Sequence, residues 1–309
     1  KGLARRNAAG VAKFTGEVRF NEQWLEQPLH WRKPRHIFVC AHGDLFHENV
    51  PDEWIDRVFA VMALCPQHTF QVLTKRADRM REYLQAAGCV DAVVSAVRKI
   101  GSDAQLRIDD SPPRRTASSD DILECDAFAV SFNLEHGYGN PPWPLPNVWL
   151  GVSVEDQTRA DERIPALLDT PAAIRFVSCE PLLGELFLDT YLYAADPFAD
   201  GDMRPSLDWV IVGGESGPNA RPMHPDWARG LRDQCVAADV PLFFKQNGAF
   251  LHDSQDENGL WDWSDADERN ILHFWDDGTC SMPLAKKAAG CLLDGREWKE
   301  MPLTKTEVA

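Results

Sequence analysis

Six short apolar runs along the chain each end in a polar cluster. The runs begin with β-branched or aromatic residues and finish in Gly, Ser, Thr, Lys, Asp or Glu; they occupy residues 36–44, 69–76, 148–156, 174–181, 209–217 and 241–248. Most are followed by apolar residues at helical spacing. This alternation predicts parallel βα units, whose strand C-terminal ends converge on the face that carries ligands and chemistry in such folds.

The length of 309 residues suits one large α/β barrel or two smaller domains. We predict a TIM-like (βα) barrel core over residues 1–250. Turn-rich and proline-rich stretches interrupt the alternation at about 91–147, which we interpret as an insertion. Residues 251–309 show no clear strand pattern, and we predict a C-terminal cap or extension there.

The charge balance limits the classes of partner. The net charge is −16 and the pI is about 4.9, which does not favour phosphate binding over the whole surface. Residues 1–35 nevertheless carry eight basic side chains against three acidic ones. Nucleic-acid binding through this stretch therefore stays open as a hypothesis, beside the simpler interpretation of a solvated face.

Cysteine usage and hydropathy bear on the compartment. None of the eight cysteines forms a CxxC pair, which argues against a zinc ribbon or a thioredoxin-type site and fits free thiols in a reducing compartment. No apolar run approaches the roughly 20 residues of a membrane span. No signal peptide is visible, so the sequence predicts a cytoplasmic protein without a membrane partner.

Polar groups at the predicted strand ends are candidates for chemistry. Clustered carboxylates and lysines shift each other's pKa values, which suits acid–base catalysis, although the same groups could form a neutral ion-pair network. The catalytic candidates are Glu155, Glu180, Glu215 and Lys245. Beside Glu215, Gly213 and Gly214 could let the backbone approach a ligand closely and adopt positive φ.

Two further strand ends carry weaker signals. His42, Asp44 and His47 could be considered as metal ligands, but their spacing matches no standard site, and we predict no metal ligand. Cys179 precedes Glu180 without a nearby histidine, so a packed thiol is the better interpretation than a nucleophile.

The chain resembles a phage- and bacteria-borne family of uncharacterised proteins with a three-cysteine motif and a radical-SAM-like barrel. The resemblance is collinear over most of the chain, and its most specific motifs are DLFH, LTKR, SCEPLLG and GGESGP, at residues 44–47, 73–76, 178–184 and 213–218. It implies a radical SAM-like enzyme of unknown substrate, with a [4Fe-4S] cluster and S-adenosylmethionine as cofactors.

The resemblance also implies positions for ligand contacts. In radical SAM enzymes a Gly-rich acidic motif holds the methionine amino group, and the matching residues here are Gly43 and Asp44. Later strand ends contact the ribose, the carboxylate and the adenine. By position, these contacts would come from Lys75, Ser153, Glu155 and the turn of Gly213, Gly214 and Glu215.

The sequence departs from the family pattern in its cysteines. No three of them have the spacing of the cluster motif, which in the family lies upstream of the segment that begins here at Lys1. We therefore expect a barrel that is incomplete at its N-terminal edge, or else a member that has lost the motif. Two alternatives to radical SAM chemistry remain: a cluster-independent lyase or hydrolase that uses the strand-end carboxylates, and a non-catalytic nucleic-acid-binding module.

Overall fold

The computed structural model describes residues 4–6, 12–41, 43–103, 143–193, 205–256, 259, 261–269, 271–284 and 286–303. The chain forms two compact units. Unit 1 comprises residues 1–149 and 170–173, and unit 2 comprises residues 150–169 and 174–309.

Unit 1 begins with an antiparallel hairpin and continues with alternating strands and helices. Its elements are β1 (Ala4–Arg6), β2 (Ala12–Phe14), α1 (Glu22–Leu25), a 3-10 turn (Gln27–His30), β3 (His36–Val39), α2 (Asp52–Leu64), β4 (Thr69–Thr74), α3 (Ala77–Gln85) and α4 (Cys89–Asp103).

Helices α2 and α4 form the apolar core of unit 1. Ile55 and Phe59 of α2 are buried, as are Val93 and Val97 of α4, because apolar residues recur at helical spacing in both segments. The Asn147 side chain fastens the C-terminal end of α2 by donating to three main-chain carbonyls. The acceptors, at 2.9–3.1 Å, are Met62, Cys65 and His68.

Unit 2 contains most of β5 and all later elements. They are β5 (Val148–Ser153, which begins in unit 1), α5 (Gln157–Asp169), β6 (Ile174–Cys179), α6 (Asp189–Leu192), β7 (Trp209–Gly213), α7 (Pro225–Ala238), β8 (Leu242–Gln246), β9 (Phe250–His252), a 3-10 turn (Asp253–Gln255), α8 (Trp263–Glu268), β10 (His273–Phe274), β11 (Cys280–Pro283) and α9 (Lys286–Ala289).

The six longer strands form one sheet in the order β3-β4-β5-β6-β7-β8. The sheet is parallel and curls as a half-barrel, as a partial (βα) barrel does. All six strands lie within the six apolar runs, which confirms the strand prediction and the mixed α/β class. The strand order equals the chain order, as consecutive βα units require.

In unit 2, aromatic side chains pack across one face of the sheet. Phe176, Trp209 and Phe243 stack across β6, β7 and β8 with ring centroids 5.7 and 5.9 Å apart. The Phe176 ring packs directly against Gly151, where only glycine fits, because a Cβ atom at this position would lie 2.5 Å from the ring. On the opposite face, Cys179 lies near Cys235 of α7.

A C-terminal strap, residues 298–300, covers the outer edge of β8. The amide of Phe244 donates to the Trp298 carbonyl at 2.7 Å, and the amide of Glu300 donates to the Leu242 carbonyl at 3.0 Å. The Glu300 carbonyl also accepts from the indole nitrogen of Trp209 at 2.9 Å. The strap therefore satisfies main-chain groups that an edge strand otherwise exposes.

The expectation that residues 251–309 lack strands is wrong. This region contributes to a three-stranded antiparallel sheet in the order β10-β11-β9. Its strands have two to four residues, too few for an alternating pattern to stand out. The predicted insertion begins as helix α4, and its remainder, residues 104–142, lies outside the described residues.

Asp294 ties α7 to the C-terminal segment. Its carboxylate accepts hydrogen bonds from Arg229, Arg232 and Gln255. The Arg229 guanidinium holds the pKa of Asp294 well below its usual range, with further help from Gln255 and Arg232. A lowered carboxyl pKa stabilises the fold above the unfolded value, and that stabilisation is lost as pH falls through the folded value.

We therefore expect Asp294→Asn to lower the free energy of unfolding at pH 7 by about 1 kcal/mol, a modest value because the side chain is about one-third exposed. Asparagine tolerates the left-handed backbone at this position, where φ is 51°. Urea denaturation at pH 7 and pH 3 measures the effect. The difference between variant and wild type should shrink at pH 3, and an undiminished difference would contradict this assignment.

Candidate functional site

In unit 1, Asp44 joins the loops that follow β3 and β4. Its Oδ1 accepts from the Phe46 amide at 3.0 Å and the Thr74 hydroxyl at 2.6 Å. Its Oδ2 accepts from the Lys75 amide and from Arg76, both at 3.0 Å. Four donors fill the lone-pair sites of one carboxylate. An amine that bound Asp44 would have to replace one of them, so its cofactor role stays a prediction.

The other unit 1 candidates lie around Asp44. Gly43 precedes it with open space at its Cβ position, and Lys75 follows β4. The metal hypothesis involved His42, which lies outside the described residues. His47 accepts from the Asn49 amide at 3.1 Å through Nδ1, while its Nε2 lies 3.4 Å from Glu48. Local hydrogen bonding accounts for the position of His47.

In unit 2, Glu180 and Lys245 meet at the ends of β6 and β8. The Lys245 ammonium donates to Oε2 of Glu180 at 2.7 Å, and the side-chain amide of Gln246 donates from Nε2 to Oε1 at 2.6 Å. The Lys245 side chain is 48% exposed, whereas that of Glu180 is 18% exposed. The pair therefore presents an accessible ammonium group whose carboxylate partner is fixed from a second side.

The two glycines at the end of β7 serve close packing. A Cβ atom at Gly214 would lie 2.2 Å from the Asn247 carbonyl oxygen, and one at Gly213 would lie 3.3 Å from the Glu180 carboxyl group. Neither glycine has positive φ, so that part of the expectation is wrong. Gly214 admits the neighbouring loop, and Gly213 leaves room for Glu180. Their contact with a cofactor stays a prediction.

Glu215 is paired with an arginine six residues later. Arg221 donates from Nε and Nη2 to the two carboxylate oxygens at 2.7 and 2.9 Å, and its amide donates at 2.8 Å. The Arg221 hydrogen bonds lower the pKa of Glu215. Glu215 is thus held as an anion, which favours ligand binding or a structural role over general acid catalysis.

Glu155 forms the most buried ion pair of the unit 2 strand ends. Its Oε2 accepts from Arg163 at 2.9 Å, and the two side chains are 11% and 16% exposed. Arg163 also donates to the Ser153 carbonyl at 2.7 Å, which fixes the end of β5. The pKa of Arg221 is raised, first by its hydrogen bonds with Glu215 and to a smaller extent by the charge of Glu155.

The unit 2 strand ends therefore carry all four catalytic candidates, of which Glu180 and Lys245 are in direct contact. Glu155, Glu180 and Glu215 are matched by three cations: Arg163, Lys245 and Arg221. Proton transfer and binding of a zwitterionic ligand are the chemistry that such paired charges allow. Sequence reasoning missed Arg163 and Arg221, which lie in a helix and a loop after the strands. Their only signal was an arginine six to eight positions beyond a strand-end glutamate.

The cysteines of the described region do not fit an iron–sulfur cluster. Seven are free thiols, and no three of them come together. Burial raises the pKa of Cys179 and raises that of Cys235 to about 12, as expected of thiols packed in an apolar core. This agrees with the interpretation of Cys179 as a packed thiol.

A second polar cluster in unit 2 surrounds two buried histidines. His224 and His252 lie with ring centroids 4.8 Å apart, and Trp275 packs edge-on against His224 at 4.9 Å. His224, Asp226 and Asp277 place one potential metal-ligand atom each within 4.8 Å of one another. Hydrogen bonds already use both nitrogens of His224, with the Asp226 amide and with Asp277. We therefore interpret the group as a hydrogen-bonded cluster.

The fold and the strand-end charges define a mixed α/β protein with a half-barrel sheet and a polar site at its strand ends. The chain matches, over residues 2–302, the family described as a protein of unknown function (DUF5131), and it belongs to that family. No curated protein and no solved structure matches it. Among the described residues, no helix is long and apolar enough to cross a membrane.

Proposed function

We propose that the protein is a radical SAM-like barrel enzyme whose strand ends bind S-adenosylmethionine and an unidentified substrate. The observation that carries this proposal is the convergence of Glu180, Lys245 and Gln246 at the ends of a six-stranded parallel sheet. The sequence resemblance over most of the chain supports the same class. The free thiols of the described region fit a reducing, cytoplasmic location.

Each of these three residues has a distinct part in binding. The accessible ammonium of Lys245 can pair with a ligand carboxylate or donate a proton to a substrate oxygen. Glu180 orients that ammonium group, and Gln246 holds Glu180 from the opposite side. The Oε1 atom of Gln246 is buried and has no hydrogen-bond partner among the described residues.

S-Adenosylmethionine, when bound, supplies a reactive carbon–sulfur bond. The described cysteines do not fit an iron–sulfur cluster, so the roles proposed here belong to the strand-end residues alone. The residues of the described strand ends bind and orient the ligand, and Lys245 or Glu180 holds the proton that is transferred.

Titration calorimetry with S-adenosylmethionine tests the proposal, with ATP as the comparison ligand. We expect saturable binding of one S-adenosylmethionine per chain. Lys245→Met should weaken this binding about tenfold, as expected for the loss of one charge-assisted hydrogen bond. Lys299→Met is the matched control, since Lys299 pairs with Glu297 in another surface ion pair, and it should bind like the wild type.

The absence of saturable binding at millimolar S-adenosylmethionine would overturn the proposal. If Lys245→Met and Lys299→Met weaken S-adenosylmethionine binding equally, Lys245 does not belong to the binding site.

A cluster-independent lyase or hydrolase is the second candidate. One observation favours it: the described cysteines lie apart, whereas Glu180 and Lys245 form a complete acid–base pair. Hydrolysis of p-nitrophenyl acetate or p-nitrophenyl phosphate is a suitable probe. Activity that is lost in Lys245→Met and in Glu180→Gln, and kept in Lys299→Met, would support this candidate. Activity that survives in all three variants would exclude the pair as its source.

A further inference from the structure

Two buried histidines of unit 2 act as helix N-caps, a role that Ser, Thr, Asp and Asn usually fill. His224 caps α7, and its Nδ1 accepts from the Asp226 amide at 3.2 Å. His252 caps the 3-10 turn at Asp253–Gln255, and its Nδ1 accepts from the Ser254 amide at 3.1 Å. An imidazole nitrogen accepts a hydrogen bond only when it carries no proton. Both caps therefore require neutral rings.

The opposite ring nitrogens share one chain of hydrogen bonds. Nε2 of His252 lies 2.9 Å from the Thr279 hydroxyl, which donates to Oδ1 of Asp277 at 2.6 Å. Nε2 of His224 lies 3.2 Å from Oδ2 of the same aspartate. With Nδ1 as acceptor in each ring, Nε2 carries the proton and donates. The network is fully satisfied with two neutral histidines.

Each Nδ1 atom also has a carboxylate beside the amide that it caps. Oδ1 of Asp253 lies 2.9 Å from Nδ1 of His252, and Oδ2 of Asp226 lies 3.7 Å from Nδ1 of His224. An amide requires the lone pair of this nitrogen, whereas a carboxylate requires a proton on it. The proton on Nδ1 thus decides between the amide and the carboxylate, whereas the Ser254 hydroxyl, 3.0 Å from Nδ1 of His252, can pair with that nitrogen in either state.

We propose that His224 and His252 form an acid-operated switch, in which protonation moves each Nδ1 from its capping amide to the adjacent carboxylate. Protonation releases the N-termini of α7 and of the 3-10 turn. The loop that enters α7 begins at Glu215 and contains Arg221, so acid loosens a segment of the unit 2 strand-end site. The switch is independent of the ligand proposed above.

The charged groups around the two rings act in opposite directions. Asp226 and Arg229 face them from α7, Asp253 from the 3-10 turn, and Asp277 from the turn before β11. The three carboxylates favour protonated rings. Burial, Arg229 and the mutual repulsion of two cations 4.8 Å apart oppose protonation.

For His252 the opposing effects dominate. Burial is the largest cause that lowers its pKa below the usual value of 6.5, and the nearby His224 adds to it. A lowered histidine pKa means that the unfolded chain takes up the proton first. Stability is therefore complete above pH 6.5 and is lost as pH falls below that value.

Hydrogen–deuterium exchange of the intact chain at pH 7.5 and pH 5.0, corrected for intrinsic rates, tests the switch. Peptides that cover residues 224–232 and 250–256 should lose at least roughly fivefold in protection at pH 5.0, the equivalent of about 1 kcal/mol for one lost cap. A peptide from α5 is the internal reference. Asp156 caps that helix by accepting from the Arg159 amide, so this cap contains no imidazole.

The double variant His224→Asn, His252→Asn keeps a capping oxygen but cannot titrate. It should retain its protection at pH 5.0, which a merely structural role of the histidines would not predict. Unchanged protection of the wild type would overturn the proposal, as would an equal loss in the double variant. If the double variant does not fold at pH 7.5, the wild-type peptides decide alone, because constant protection relative to α5 excludes the switch.

Discussion

Replacing Gly214 by alanine is expected to lower the free energy of unfolding by about 3 kcal/mol. The added Cβ atom would lie 2.2 Å from the Asn247 carbonyl oxygen and 2.7 Å from its carbon. Both are main-chain atoms, so no side-chain rotation relieves the clash. The loop after β8 would have to move away from β7, and Lys245 and Gln246 would move with it. Urea denaturation at pH 7.5 measures the loss.

Gly230 provides the matched control in the same unit. It lies inside α7, and a Cβ atom there would have nothing within 4 Å. Gly230→Ala should therefore raise the free energy of unfolding by about 0.5–1 kcal/mol, because alanine loses less backbone entropy in a helix. Opposite signs are the expected pattern for the two variants. Equal stability of Gly214→Ala and the wild type would show that the two loops are not in close contact.

Replacing Asp44 by alanine is expected to cost about 3 kcal/mol of unfolding free energy. The change removes the acceptor for four donors at once. It leaves the Thr74 hydroxyl, whose residue is 1% exposed, without this partner, and it removes the carboxylate from the Arg76 guanidinium. The loops after β3 and β4 would then no longer be joined, so the two strand ends of unit 1 would loosen together.

Asp52→Asn serves as the control for Asp44→Ala. Asp52 pairs with Arg79 at the start of α2, but its side chain is 61% exposed. An exposed ion pair contributes little, so we expect a change of at most about 0.5 kcal/mol. Thermal and urea unfolding should rank the variants in this order. A loss in Asp44→Ala no larger than in Asp52→Asn would contradict the joining role of Asp44.

The long strands were predictable because each combines a β-branched or aromatic run with a polar end. β9, β10 and β11 were not, since two to four residues carry too little periodicity, and β11 pairs both with its neighbour β10 and with the distant β9. A strand that has its own apolar run can be located from its local sequence pattern. Tertiary contacts decide the short strands of the C-terminal region.

The sequence predicted the glutamates of the candidate site, but it did not predict the arginines that pair with two of them. Glu155 and Glu215 stand out because they follow strands directly, but Arg163 reaches back from a helix and Arg221 from a loop. Their pairing depends on loop paths that the sequence pattern does not specify. The histidine caps were missed because histidine is an unusual cap. The available signal was His224 directly before Pro225, at the first position of α7.

The C-terminal strap also governs the order in which unit 2 can be completed during synthesis. Trp298 follows the last residue of β8 by 52 positions, yet it supplies the carbonyl that pairs with Phe244. Until those residues leave the ribosome, β8 has an open edge, and the indole of Trp209 lacks the Glu300 carbonyl. The nascent chain therefore carries a strand edge open to pairing with other chains, and a chaperone that shields it would act until residue 300 has emerged.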